Sequence, residues 1–129
     1  MNAKLVSLMV TDQTRALAFY TEVLGFEKTA DRPMGEVRWL TVRPPDALDG
    51  AELALEPMGF GPGRTYQRAL YDAGIPATAL LTRDIAAEAA RLKACGVVFR
   101  NTSSDQGTVV SALFEDSCGN LIKLVQTPA

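Results

Sequence analysis

Glu52 and Glu56 lie in the stretch Glu52-Leu53-Ala54-Leu55-Glu56, where polar and apolar residues alternate. As a strand it presents both carboxylates on one face with Ala54 between them, and Leu53 and Leu55 on the other. A carboxyl whose pKa is raised by burial can transfer protons. The same groups can orient a cationic or hydroxyl group of a ligand, or simply pair with a structural cation. Trp39 is the only tryptophan, and it serves either as a stacking wall for a planar ligand or as packing area. Histidine is absent. That removes Ser-His and Cys-His nucleophiles, histidine general bases, zincin motifs and the two-His-one-carboxylate iron site. Cys95 and Cys118 form no CxxC pair and no disulfide framework. Cys95, at a helix end, is expected as a small buried hydrophobe. Cys118, in the turn Asp116-Ser117-Cys118-Gly119, has no base to activate it.

The elements that position these residues are spelled twice. Residues 8–26 and residues 80–97 each carry an apolar run, an Asp (Asp12, Asp84), a helix-period stretch and a closing Gly (Gly25, Gly96). Two similar modules follow, each too small to hide its own apolar face and packed as one domain. Strands are expected at Lys4–Val10, Phe26–Ala30, Glu36–Val42 and Ala51–Glu56, then at Ala77–Thr82, Val97–Asn101, Thr108–Phe114 and Asn120–Gln126. Asp12 and Asp84 cap the two main helices. The first carries the stripe Ala16, Phe19, Tyr20, Val23 and Leu24. Residues 43–50 read as a loop. The Gly-rich stretch 57–76 links module one (about 3–56) to module two (about 77–126), with at most a short helical turn near Gln67–Tyr71. The fold class is α+β: two βαβββ modules forming a paired, cup-shaped mixed sheet within a single domain, 1–129.

Alternation sorts the strands into two faces. Val6, Leu8, Val10, Leu53, Leu55, Leu81, Ile122 and Leu124 should lie under the helices. Leu5, Ser7, Met9, Trp39, Thr41, Glu52, Ala54, Glu56, Thr78, Leu80, Thr82, Lys123 and Val125 should face the cup. The second set is apolar and aromatic with a few polar groups, the usual makeup of a small-molecule site.

Composition narrows the partners. The chain has 129 residues and a formal charge of −2. It shows no basic patch, so nucleic acid is not an expected partner. Its apolar runs are too short for a bilayer, and the first residues do not read as a signal peptide. Membrane contact is therefore not expected, and the expected location is cytoplasmic.

Val10-x-Asp12 followed by Ala18-Phe19-Tyr20 and Val23-Leu24-Gly25-Phe26 resembles the opening signature of the vicinal oxygen chelate superfamily, which includes glyoxalase I, bleomycin-resistance proteins and extradiol dioxygenases. Phe114-Glu115-Asp116-x-x-Gly119-Asn120-x-Ile122-x-Leu124 resembles its closing signature, and Ala87-Glu88-x-x-Arg91-Leu92-Lys93-x-x-Gly96-Val97 its second helix. In metal-using members of that superfamily, His, Gln or Glu side chains from a first and a last strand of each module converge on the floor of the cup. The resemblance places Leu5, Ala54 (with Glu52 and Glu56 beside it), Thr78 and Lys123 at those positions. Leu5 has no donor atom, Thr78 is a poor neutral ligand and Lys123 is a cation, so no cofactor and no divalent metal are expected.

The resemblance then implies a metal-independent small-molecule-binding protein of the glyoxalase/bleomycin-resistance type, a homodimer that sequesters a hydrophobic or aromatic compound. The ligand-binding set is Leu5, Ser7, Trp39, Glu52, Ala54, Glu56, Thr78 and Lys123. Lys123 would meet an anionic or carbonyl oxygen, taking the place of the metal's charge. The alternatives are a lyase, isomerase or dioxygenase with an atypical metal site around Glu52 and Glu56, and a non-catalytic structural or regulatory partner.

Overall fold

A computed structural model describes residues 1–45 and 50–128, so the part of the expected loop at 46–49 lies outside the described residues. Two compact units divide the chain, Met1–Tyr66 and Gln67–Ala129. Both carry the βαβββ order that the repeat implies.

The first unit contains β1 (Leu5–Met9), α1 (Gln13–Ala18) running on into a π-helical turn (Phe19–Val23), then β2 (Glu27–Met34), β3 (Val37–Arg43) and β4 (Glu52–Glu56). Asp12 is the N-cap of α1, its carboxylate accepting from the Arg15 N–H at 2.9 Å. Gly25 follows the helical segment at φ +80°, a left-handed stop that costs glycine nothing. The sheet order is β1-β4-β3-β2, parallel between β1 and β4 and antiparallel elsewhere. One face carries the core: Leu8, Leu40, Val42, Leu53 and Leu55 are buried, as are Val10, Ala16, Phe19 and Tyr20. Phe19 and Tyr20 meet edge-on with ring centroids 5.3 Å apart. Each large side chain so buried contributes roughly 1.5–3 kcal/mol. Val6 lies on the expected face, paired with Leu53, but is exposed at the free edge of the sheet.

The second unit contains β5 (Thr78–Thr82), α3 (Ile85–Ala94), β6 (Phe99–Asp105), β7 (Thr108–Glu115) and β8 (Leu121–Gln126). Its sheet order, β5-β8-β7-β6, repeats the first. Asp84 caps α3 by accepting from the Ala87 N–H at 3.0 Å. Ile85, Leu92, Ala112, Phe114, Ile122 and Leu124 are buried.

The stretch read as a flexible link is instead a helix, α2 (Gly61–Asp72), which begins in the first unit and ends in the second. Among the described residues there are therefore three main helices, not two. Pro62 stands in the first turn, where its fixed φ and missing N–H cost little. Gly63, Gln67, Leu70 and Tyr71, spaced along one helical face, are its less exposed residues. The Gly and Pro content disguised this periodicity. Cys95 is exposed, not the buried hydrophobe expected, and Cys118 is buried in the turn that Asp116 organises.

Candidate functional site

The face of the first sheet opposite its core assembles most of the expected site residues. Ladder partners define a row across all four strands: Ala30 beside Thr41, Thr41 beside Ala54, Ala54 beside Ser7. On one side of that row stand Trp39, with Arg32 as its partner on β2, and Glu56, with Met9 as its partner on β1. On the other side Leu5 partners Glu52. A hollow of about 430 Å³ opens on this face, lined by Asn2, Ala3, Lys4, Leu5, Thr29, Ala30, Trp39, Thr41 and Glu52.

Local chemistry fixes these positions. An irregularity in β2 between Lys28 and Ala30 turns Thr29 toward β3, and the Thr29 and Thr41 hydroxyls hydrogen-bond at 2.6 Å. The Ser7 hydroxyl donates to Glu56 Oε1 at 3.3 Å. Glu52 is partly buried and its N–H donates to the Lys4 carbonyl at 2.8 Å. Behind the sheet, the Gln13 carboxamide donates to the carbonyls of Arg38 at 2.7 Å and Leu55 at 2.8 Å, and accepts from the Arg38 N–H at 3.1 Å. It thereby ties β3 to β4 next to Trp39, beyond the two residue pairs their ladder provides. Arg38 also grips Asp31 through two bonds of 2.9 and 2.6 Å. Mainly through that hydrogen bonding, helped by Lys28, the Asp31 carboxyl is lowered from the usual 3.8 to about 2.

Near β1, α2 makes a close approach: a Cβ on Gly63 would stand 2.8 Å from Met9 Sδ. Met9 shares a face with Leu5 and Ser7, so the start of α2 borders the same surface.

In the second unit the expected residues separate. Lys123 partners Ala79, whereas Thr78 partners Ile122 on the opposite face. Thr78 is therefore not beside Lys123, and Ala79 holds the place expected for it. Leu80 and Leu81 exchange faces for the same reason: Leu81 is 70% exposed, not core. Counting back six residues from Asp84, against seven from Asp12, shifted the strand by one, and a one-residue slip inverts every side chain. Lys123 itself is exposed on its sheet.

This unit holds clusters that sequence reasoning missed. The Tyr71 hydroxyl donates to Glu115 Oε1. Arg100 Nη2 donates to the Tyr71 oxygen at 2.7 Å and to Glu115 at 3.1 Å, and its guanidinium lies 5.0 Å from the Tyr71 ring centroid. The Tyr71 bond, then Arg100, holds the Glu115 carboxyl below its ordinary range, and Glu115 raises Arg100. Nearby, the buried Asp116 carboxylate accepts from the Cys118 N–H at 2.8 Å, the Asn120 N–H at 3.1 Å and Asn120 Nδ2 at 2.9 Å. Gln67 Nε2 donates to the Cys118 carbonyl and to Asn120 Oδ1, both at 3.2 Å. Nothing in a linear pattern pairs Tyr71 or Gln67 with residues 29 to 53 positions away. These clusters fix the end of α2 and the β7–β8 turn.

Repeated βαβββ modules of this kind define a class. The chain belongs to the Glyoxalase/Bleomycin resistance protein/Dioxygenase superfamily, whose model matches residues 3–124. It is 46% identical over 126 residues to the uncharacterized protein YurT of Bacillus subtilis (strain 168), covering 98% of this chain and 99% of that protein. Among solved structures, UcmS2 superposes with a TM-score of 0.81 at 31% identity, covering 98% of this chain and 100% of UcmS2. TnmS3, an antibiotic binding protein from Streptomyces sp. CB03234, gives a TM-score of 0.74 at 31% identity, covering 99% of this chain and 97% of TnmS3.

Metal-using members of this superfamily need a donor set that these residues do not supply. Leu5 and Ala54 carry no donor atom, Lys123 offers an ammonium, and Thr78 faces away from Lys123. Glu52 and Glu56 are four residues apart on β4, about 13 Å along the strand, and both stand roughly perpendicular to the sheet. One ion with bonds of about 2 Å does not span them. Among the described residues no three His, Cys, Asp or Glu side chains gather as a metal cluster.

Proposed function

We propose that this chain is a metal-independent small-molecule-binding protein that sequesters a hydrophobic or aromatic compound, working as a cytoplasmic homodimer. The observation that carries the reading is the hollow of about 430 Å³ over the Trp39 face of the first sheet. Its size falls in the range of ligand pockets, roughly 300–1,000 Å³, and its lining sets Ala3, Leu5, Ala30 and Trp39 among the polar Asn2, Lys4, Thr29, Thr41 and Glu52. The antibiotic-binding role of TnmS3, at 31% identity, supports sequestration over catalysis. The donor set described above supports independence from metal.

Dimerisation has its own support. Strands β1 and β5 are each an edge of their own sheet. They carry exposed Leu5, Val6 and Leu81, and an apolar edge is a liability unless covered. On the second unit's own sheet, the exposed Lys123 would meet an anionic or carbonyl group of a ligand bound there.

Thermal unfolding against a library of aromatic compounds tests the reading. A binder at about 100 times its Kd adds roughly 2.7 kcal/mol; Trp39→Ala should abolish the shift and chelator should leave it unchanged. A stoichiometric divalent ion, lost together with the shift in Glu52→Ala or Glu56→Ala, would overturn metal independence. Light scattering that returns the 13.9 kDa of one chain would overturn the dimer.

A further inference from the structure

We infer that Thr29 is a specificity-determining residue of the hollow, its hydroxyl donating to a neutral carbonyl oxygen of the ligand. This rests on the hollow being the binding site. Thr29 and Thr41 both line it, and their hydroxyl oxygens stand 2.6 Å apart. Regular alternation would not bring them together. In the β2–β3 ladder Lys28 partners Val42 and Ala30 partners Thr41, so Thr29 is the extra residue of the irregularity between them. Two residues of β2 then stand against one of β3, and Thr29 joins Ala30 at the hollow. An irregularity of this kind re-aims one side chain, and the side chain it delivers here is a hydroxyl.

Burial decides which oxygen donates. Thr41 is 3% exposed, whereas Thr29 is open to solvent. Among the described residues each hydroxyl bonds only to the other. The pair has two protons, and their mutual bond uses one. If Thr41 accepted, its own proton would be buried with no acceptor, the costlier arrangement. Thr41 therefore donates to Thr29, and the Thr29 proton is left for whatever enters the hollow. Donation from Thr41 also polarises the Thr29 O–H and strengthens it as a donor. Charge favours a neutral acceptor. Lys4 and Glu52 line the same hollow with opposite signs, so its lining carries no formal net charge. A carbonyl takes the Thr29 proton without bringing a charge that must be desolvated. Trp39 stands two residues from Thr41 along β3, about 6.6 Å. The carbonyl therefore belongs on the rim of a flat body packed against the indole.

Two bicyclic probes test the inference: chromanone, and chromane, the same ring system without the carbonyl. Each is titrated against the Trp39 indole N–H resonance in nitrogen-resolved NMR, which also reports that a variant is folded. The ratio of chromanone to chromane affinity should fall about fivefold in Thr29→Val, the weight of one neutral hydrogen bond, and return in Thr29→Ser. A ligand-free measurement tests the direction of the proton. Thr29→Val strands the buried Thr41 donor, whereas Thr41→Val removes that donor and leaves Thr29 to water. Thr29→Val should therefore lower Tm more than Thr41→Val, and the reverse order would overturn the assignment of the donor. An affinity ratio unchanged in Thr29→Val would overturn the role of Thr29 while the hollow remains a binding site. If neither probe moves the indole of the unaltered chain, the carbonyl class is wrong; if the broader aromatic library is also silent, the binding reading falls with it.

Discussion

Removing the Gln13 carboxamide asks whether the Trp39 wall is held from behind by the first helix. Strands β3 and β4 share only the ladder pairs Thr41 with Ala54 and Val42 with Leu53. Past them, Gln13 supplies bonds of 2.7, 2.8 and 3.1 Å to Arg38 and Leu55. Each is worth about 1 kcal/mol net, and the part-buried groups recover some of that from water, so Gln13→Ala should cost about 2 kcal/mol. For a chain of this length the unfolding entropy is roughly 0.27 kcal/mol/K, which converts the loss to about 7 °C in Tm. Circular dichroism melting reads the shift. Because Arg38 adjoins Trp39, the variant should also show red-shifted Trp39 emission below its melting range. A Tm change under about 2 °C with unchanged emission would refute the claim that this side chain stands in for the missing ladder.

Two further perturbations address other parts of the fold. The Asp31 carboxyl lies at about 2 in the folded chain, against 3.8 ordinarily, so its stabilising contribution is complete above about pH 4 and lost as pH falls toward 2; acid unfolding of Asp31→Asn should be less steep over that window, and an identical profile would contradict the Arg38 pairing. Gly119 sits at φ +93° with a would-be Cβ 2.8 Å from Gln67 Oε1, so Gly119→Ala should cost about 1–3 kcal/mol, whereas Gly63→Ala meets only the flexible end of Met9 and should cost less; equal denaturation midpoints for the two variants would contradict this ordering.

The periodic parts of the fold were readable because their causes are local. Asp12 and Asp84 advertise helix starts through side chains that cap within three residues, and strand alternation placed Leu8, Leu53, Leu55 and Ile122 correctly in the core. The open face of the first sheet was legible for the same reason: Leu5, Ser7, Trp39, Glu52, Ala54 and Glu56 do share it. The second sheet was less so, since one residue of offset before Asp84 inverted Thr78, Leu80 and Leu81. Helix α2 was obscured by Gly59, Gly61, Pro62 and Gly63, residues that usually break structure but here precede or open a helix. Thr29 enters the hollow through a strand irregularity, and Gln13, Gln67 and Tyr71 act through partners distant in sequence. No local spacing rule reports such contacts.

The central claim is that a small molecule sits in the hollow lined by Leu5, Thr29, Ala30, Thr41 and Glu52 beside Trp39. With a single tryptophan in the chain, one indole N–H resonance reports that wall in a nitrogen-resolved NMR spectrum. Titration with an aromatic binder from the thermal-unfolding library is predicted to shift that resonance together with the Leu5, Thr41 and Glu52 amides, at one common Kd. Saturable binding that leaves the Trp39 indole unmoved, with shifts gathered on the second sheet around Lys123, would contradict the account.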